Sequence, residues 1–266
     1  MNRRLLTCSL IILMTASYVA AAPLAIQPGE KFTYRLSWGL FRKAASLEII
    51  AEQDPDSIEP RIRITSHTAT RGFIRALYQF DGWGEFIYEP ENSRLLEAKA
   101  WTKTGSKETN ASIALDYAEM KANYTDHVRP EKSLELVIPP EEPADFLTTL
   151  IQTRAWEIGV GEDQVVSVLF DDEFYELTIT VDREEILKTK WGNKPALVLI
   201  PRMQGEPKGM FKKGGEIKIW VSNDELRLPL RFEVKIAVGT AMAILTDHQI
   251  DADATELRAH AASVNP

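Results

Sequence analysis

Carboxylates are the first side chains in this sequence whose types and spacing suit chemistry. Asp171, Asp172 and Glu173 stand together between two apolar runs, and Asp182, Glu184 and Glu185 surround Arg183. Two carboxyls at a set separation cleave a glycosidic bond, one donating a proton while the other attacks or activates water. The same acids at hairpin turns serve solubility, and no base or nucleophile motif accompanies them. The four histidines, His67, His127, His248 and His260, form neither a His-x-His nor a His-x-x-x-His pair, so a zinc site lacks a local nucleus. A Gly-x-Ser-x-Gly elbow, an Asp-x-Asp-x-Asp-Gly calcium loop and a P-loop are all missing. The sequence therefore predicts no catalytic residue, no metal and no cofactor.

Binding residues are easier to find. Trp83 lies in Asp81-Gly82-Trp83-Gly84-Glu85, and Trp101 follows one strand later. Flat aromatic faces beside a carboxylate such as Glu85 suit sugar rings, while Trp is equally at home packed within a twisted sheet. A second candidate is the stretch Arg202 to Glu216, where Lys208, Lys212 and Lys213 gather among glycines, with Met210 and Phe211 at the tip. It reads either as a hydrated hairpin connection or as a mobile basic lip for an anionic headgroup, phosphate or acidic polysaccharide. Apolar residues on an exposed tip need a reason. Trp38, Trp156, Trp191 and Trp220 read as core or sheet packing.

Strands must carry these residues. Phe32, Tyr34, Leu36 and Trp38 alternate with Lys31, Thr33, Arg35 and Ser37, and Tyr175, Leu177, Ile179 and Val181 repeat the pattern. Leu228 to Val238 alternates most cleanly, as an antiparallel sheet with one dry face requires. Ala196 to Ile200 and Val165 to Phe170 are apolar on both sides, which predicts central or covered strands. Turn signals separate the runs at Asp54-Pro55, Gly192-Asn193, Gly214-Gly215 and Ser222-Asn223-Asp224. Phe146, Leu147, Leu150 and Ile151 break the period and predict one helix over 144–155, after the loop Pro139 to Pro143. A short helical turn is expected near Phe73 to Tyr78. The expected fold is mainly β, a single twisted antiparallel sheet curled into a spiral β-roll or barrel-like form.

The first residues give an address. Arg3 and Arg4, the apolar run Leu5 to Val19, and Val19-Ala20-Ala21 form the basic, apolar and small-residue regions of a secretory signal peptide. Cleavage is predicted after Ala21, leaving a single β-rich domain over 22–250 and a flexible polar tail over 251–266. The single cysteine, Cys8, lies in the leader, so disulfides and thiolate metal sites drop out of the mature chain. The net charge of −8 becomes more negative once Arg3 and Arg4 are removed. That balance argues against electrostatic capture of nucleic acid or of anionic lipid headgroups, while leaving room for a local basic patch. A broken 15-residue apolar stretch is too short to span a bilayer comfortably, so the mature protein is expected in the periplasm or outside the cell and not as an integral membrane protein.

The segment Glu216 to Gly239 resembles the closing motif of an exported bacterial family known as domain of unknown function 3108. The motif residues are Trp220, Ser222, Asp224, Arg227, Pro229 and Gly239. The opening Pro28 to Leu40 is similar to the family's Gly-Glu, Tyr and Trp start, and Asp145 to Arg154 to its helix. Arg42-Lys43-Ala44 stands where the family usually has a glycine. The resemblance runs from Pro28 to Ile250 and implies a spiral β-roll in the Gram-negative envelope, without an established activity. The motif around Trp220 reads as architectural: Ser222, Asn223 and Asp224 set a turn, and Arg227 is placed to pair with Asp224. Three functions follow in order. The first is a non-catalytic envelope protein that binds a lipid or glycan in or on its curled sheet. The second is an assembly protein of an envelope complex, and the third a polysaccharide hydrolase acting through Asp171, Asp172 or Glu85. An apolar cavity favours lipid; an open aromatic groove favours glycan.

Overall fold

The computed structural model describes residues 24–205, 211, 215–236 and 239–251. Fifteen strands make one sheet. The first eight are β1 (Glu30–Trp38), β2 (Phe41–Gln53), β3 (Ile62–Thr70), β4 (Phe80–Glu89), β5 (Arg94–Thr104), β6 (Lys107–Asp116), β7 (Lys121–Asp126) and β8 (Leu134–Val137). The rest are β9 (Ala144–Asp145), β10 (Asp163–Phe170), β11 (Glu173–Thr189), β12 (Gly192–Met203), β13 (Glu216–Ser222), β14 (Pro229–Ile236) and β15 (Gly239–Ile250). Two short helices, α1 (Gly72–Leu77) and α2 (Phe146–Gln152), complete the elements used below.

The strand order is 8-7-6-5-4-3-2-1-15-14-13-12-11-10-9. Sequence neighbours pair as antiparallel hairpins, and β1 meets β15 in the middle, so the chain runs out along one half and returns along the other. Among the described residues, only β9 pairs in parallel, with β10. The sheet curls without closing. Its β9 edge comes to lie against β5, and Leu169 of β10 packs in the same cluster as Ile113 and Tyr124 of the opposite half. The right-handed twist of adjacent strands, accumulated over so many of them, supplies that curl.

Alternation decides which side is dry. Phe32 and Tyr34 of β1, Leu47 and Ile49 of β2, and Ile62 and Ile64 of β3 are buried in one cluster. A second cluster gathers Leu177, Ile179, Val181, Leu197, Leu199, Ile217 and Ile219 in the returning half. Strand β12 buries both faces, as its unbroken apolar run predicts: Leu197 and Leu199 belong to the second cluster, Ala196 and Val198 to the first. The run Val165 to Phe170 behaves differently. Ser167, Val168 and Leu169 are buried but Val165 and Phe170 are exposed, because β10 has only the two-residue β9 beyond it.

Helix α2 sits between the clusters, with Ile151 in the first and Leu150 in the second. It is shorter than the apolar spacing suggests. Ala144 and Asp145 form β9, and Thr153 to Ala155 tighten into a 3-10 turn. Asp145 is an N-cap, its carboxylate accepting the N–H groups of Leu147 and Thr148 at 2.8 and 3.0 Å. That capping role requires extended backbone at Asp145 itself, which allows the residue to pair with β10. The expected turn near Phe73 is α1. Two tryptophans depart from expectation: Trp156 and Trp220 are buried, but Trp38 and Trp191 stand half exposed at hairpin ends. Residues 1–21, expected from the sequence to be a leader, and 252–266, expected to be a tail, lie outside the described residues.

Candidate ligand-binding face

Along β4, up to the register shift between Ile87 and Tyr88, the even positions 82 to 86 lie on the core side and Trp83 and Glu85 on the outer side. Gly82 and Gly84 point inward beneath neighbouring rings. A methyl group on Gly84 would lie 2.7 Å from the Ser66 hydroxyl and 2.8 Å from the Phe86 ring, so the Phe86 ring occupies the space. Trp83 and Glu85 then project outward. Cross-strand register extends that outer row: His67 of β3 faces Trp83, Trp83 faces Trp101 of β5, and Trp101 faces Asn110 of β6.

The rings stand side by side. His67 and Trp83 stack at 4.7 Å with planes 16° apart, and Trp83 and Trp101 meet at 4.3 Å, tilted by 48°. Both neighbours of Trp83 are therefore aromatic, whereas Trp101 has a ring on one side and the small polar Asn110 on the other. The Trp101 indole N–H donates to Glu108. One row along, Lys99 bonds Glu85 at 3.1 Å, and this bond raises the Lys99 ammonium above its ordinary value. These residues line an open depression of about 340 Å³, with Glu48, Ile50 and Thr65 at its margin. Aromatic surface, a carboxylate, an ammonium, an amide and an imidazole share one shallow face. Such a set can hold a polar ring by stacking and by hydrogen bonds from its edge.

Other predicted residues fall elsewhere. Asp171 is the positive-φ corner of the β10–β11 turn and lines a separate hollow of about 120 Å³ with Tyr124, Leu169 and Asp145. Burial raises its carboxyl, and neighbouring Asp172 adds to the rise. Glu85 and Asp171 thus belong to different depressions. Phe211 is half-buried against the second core cluster, while Lys208, Met210, Lys212 and Lys213 lie outside the described residues. Among the described residues, no group of three or more His, Cys, Asp or Glu is placed to hold a metal ion.

The family-like motifs meet in the framework, around α2. Glu30, 1% exposed, accepts from Arg154 at 2.7 Å and contacts His248 at 2.7 Å. Arg154 also donates to the carbonyls of Ala25 and Leu226. Tyr34 donates its hydroxyl to Pro229, and Tyr88 donates its own to Asp145 at 2.9 Å. Burial, reinforced by the Asp145 charge, pushes the Tyr88 hydroxyl well up. Ser222 donates to Asp224 at 2.7 Å and accepts from the Leu228 N–H at 2.8 Å, setting the β13–β14 turn. The expected Asp224–Arg227 pairing is replaced by Lys194, whose ammonium reaches Asp224 at 3.1 Å. Arg227 sits at φ +43° and offers Asp224 only its backbone N–H. Trp220 donates to Glu185 at 2.7 Å beneath the Arg231 guanidinium. Gly239 leaves room for Trp38, whose indole nitrogen would lie 3.2 Å from an added methyl.

His67, Lys99 and Asn110 were not singled out by residue type. Register is what unites them with Trp83 and Glu85, and counting outward through the β3–β4, β4–β5 and β5–β6 pairings would have found them.

Among curated proteins, none matches the chain. In solved structures it is similar to a β-barrel-like protein of a domain of unknown function, DUF1849, from Brucella abortus. That protein shares 9% identity over 88% of this chain and 99% of its own, at a TM-score of 0.53. It is also similar to a Bacteroides fragilis protein of YmcC-like fold, 8% identical over 86% of this chain and 99% of that one, at a TM-score of 0.34. The family description "Protein of unknown function (DUF3108)" matches residues 33–246. The matched span covers most of the strand pairings, helix α2 and the Trp220 turn, and the chain belongs to the DUF3108 family.

Proposed function

We infer that this chain is an exported envelope protein that holds a glycan on the outer face of β3 to β6 and catalyses no reaction on it. The observation carrying this reading is the open row His67–Trp83–Trp101–Asn110, flanked by Glu85 and Lys99. Ring edges and one indole side of Trp101 suit the apolar face of a sugar, while the flanking groups suit its hydroxyls. A lipid tail needs a large apolar cavity, and the hollow lined by Phe86, Ala98, Ile113, Tyr124 and Leu169 is about 120 Å³, against about 340 Å³ for the open aromatic depression. Hydrolysis needs two carboxyls facing one another across a cleft, whereas Glu85 and Asp171 line different depressions. Export is supported by the basic, apolar and small-residue order of the first 21 residues.

The test is calorimetric titration of the mature protein with soluble oligosaccharides released from a Gram-negative envelope. Trp101→Ala is expected to weaken binding by about tenfold or more, roughly 1.4 kcal/mol. Its melting temperature should fall only slightly, since a ring–ring contact is worth about 1 kcal/mol. Equal affinity in the variant would overturn the reading.

A further inference from the structure

One rim of the outgoing half carries large apolar side chains that stand exposed among the described residues. The β1–β2 hairpin turns at Gly39, φ +53°, and presents Leu40 at 96% exposure between half-exposed Trp38 and Phe41. Helix α1 sits beside it. Phe73 and Leu77, four residues apart on one helix side, are each 67% exposed, and Tyr78 follows them into solvent. Phe41 and Phe73 bring the two groups together at 6.5 Å between ring centroids. The Arg71 backbone and side chain fasten α1 to β2 through Ala44 and Ser46, at 2.8 and 2.7 Å. The apolar groups are therefore held outward on a fixed base.

The charge around them runs against the rest of the molecule. Arg42, Lys43 and Arg71 are exposed on these same segments, and Lys103 and Lys107 on the neighbouring β5–β6 hairpin. Gly105 of that hairpin bonds Gln79 just after α1, which places it at the same rim. Of the acids nearby, Asp81 is neutralised by Arg75, while Glu108 keeps its charge and accepts from the Trp101 indole, leaving the cations in the majority. A chain of net charge −8 thus concentrates cations where it exposes Trp, Phe, Leu and Tyr. Aromatic and aliphatic side chains ringed by Lys and Arg are the composition that enters the headgroup layer of an anionic membrane. Trp and Tyr favour that depth.

We propose that this rim is a docking surface for an anionic phospholipid bilayer, with Leu40, Phe41, Phe73 and Leu77 entering the headgroup layer and Arg42 and Lys43 meeting lipid phosphates. A protein seated here would have to be basic-complementary and apolar together; a bilayer satisfies both over any area. The proposal is independent of the glycan reading. It does give that reading a setting, because Trp101 lies only three residues from the end of β5, about 10 Å from the rim.

The experiment is flotation of the mature protein with vesicles of phosphatidylcholine containing 30% phosphatidylglycerol, roughly the anionic content at which basic surfaces bind. Binding is expected, weakening several-fold when salt is raised and falling about tenfold on Leu40→Ser with Phe73→Ser. Both positions are exposed, so circular dichroism and melting temperature should not change. A second readout uses Leu40→Cys carrying an environment-sensitive fluorophore, whose emission should shift to the blue with these vesicles. Absence of flotation, or equal flotation by the double variant, would overturn the proposal. So would a dimer in light scattering that the double variant abolishes, since the rim would then be covered by a second copy.

Discussion

Asp224 illustrates what a single residue does in this family-defining turn. Burial pushes its carboxyl up, but the Ser222 hydroxyl and the Lys194 ammonium hold it below the usual carboxylate range. A depressed folded value means the stabilisation is present above the ordinary Asp pKa and is lost as pH falls through the folded one. Asp224→Ala should cost about 1–2 kcal/mol at neutral pH, the worth of its hydrogen bonds. The acid limb of stability against pH should become shallower in the variant, and glycan affinity should not move. Thermal melts from pH 7 down to pH 3 check this; an unchanged melting temperature with lost binding would place Asp224 in a site rather than a turn. The turn was legible as Ser-Asn-Asp before an Arg-x-Pro strand. Its ion pair was not, because Lys194 comes from β12 and only register brings it there.

At the scale of elements, α2 decides whether the two halves of the sheet stay together. Its seven residues make about two turns, too few to be stable alone. Tertiary contacts hold it: Asp145 to Tyr88 at its start, and Arg154 to Glu30, Ala25 and Leu226 at its end. Arg154→Met would leave Glu30 buried without its guanidinium, a loss of about 3–5 kcal/mol for a broken buried pair. The double change with Glu30→Gln should recover part of that, since both charges then disappear together. Urea denaturation of the three variants reads it, and a single variant as stable as the parent would contradict the clasp. Helical spacing of Phe146, Leu147, Leu150 and Ile151 made this element visible in the sequence. Its start was set two residues too early because Asp145 both caps the helix and extends the sheet through β9.

For the whole molecule, alternation made the mainly β character readable, and the family-like motifs implied the curl. The strand order that joins β1 to β15 was not readable, since pairing across more than 200 residues leaves no local signature. The same gap hid the candidate site. Trp83, Trp101 and Glu85 stood out by type, but His67, Lys99 and Asn110 join them only through pairings between successive hairpins. Once folded, the molecule has two buried core clusters, an open aromatic face and an apolar, basic rim next to that face. The most direct test of the glycan reading follows the six indole N–H signals of the mature protein by nuclear magnetic resonance during titration with envelope oligosaccharides. The account predicts that the signals of Trp83 and Trp101, assigned by substitution, move in proportion to bound ligand while buried Trp156 and Trp220 stay still. Shifts confined to other tryptophans, or none at concentrations where calorimetry detects binding, would contradict it.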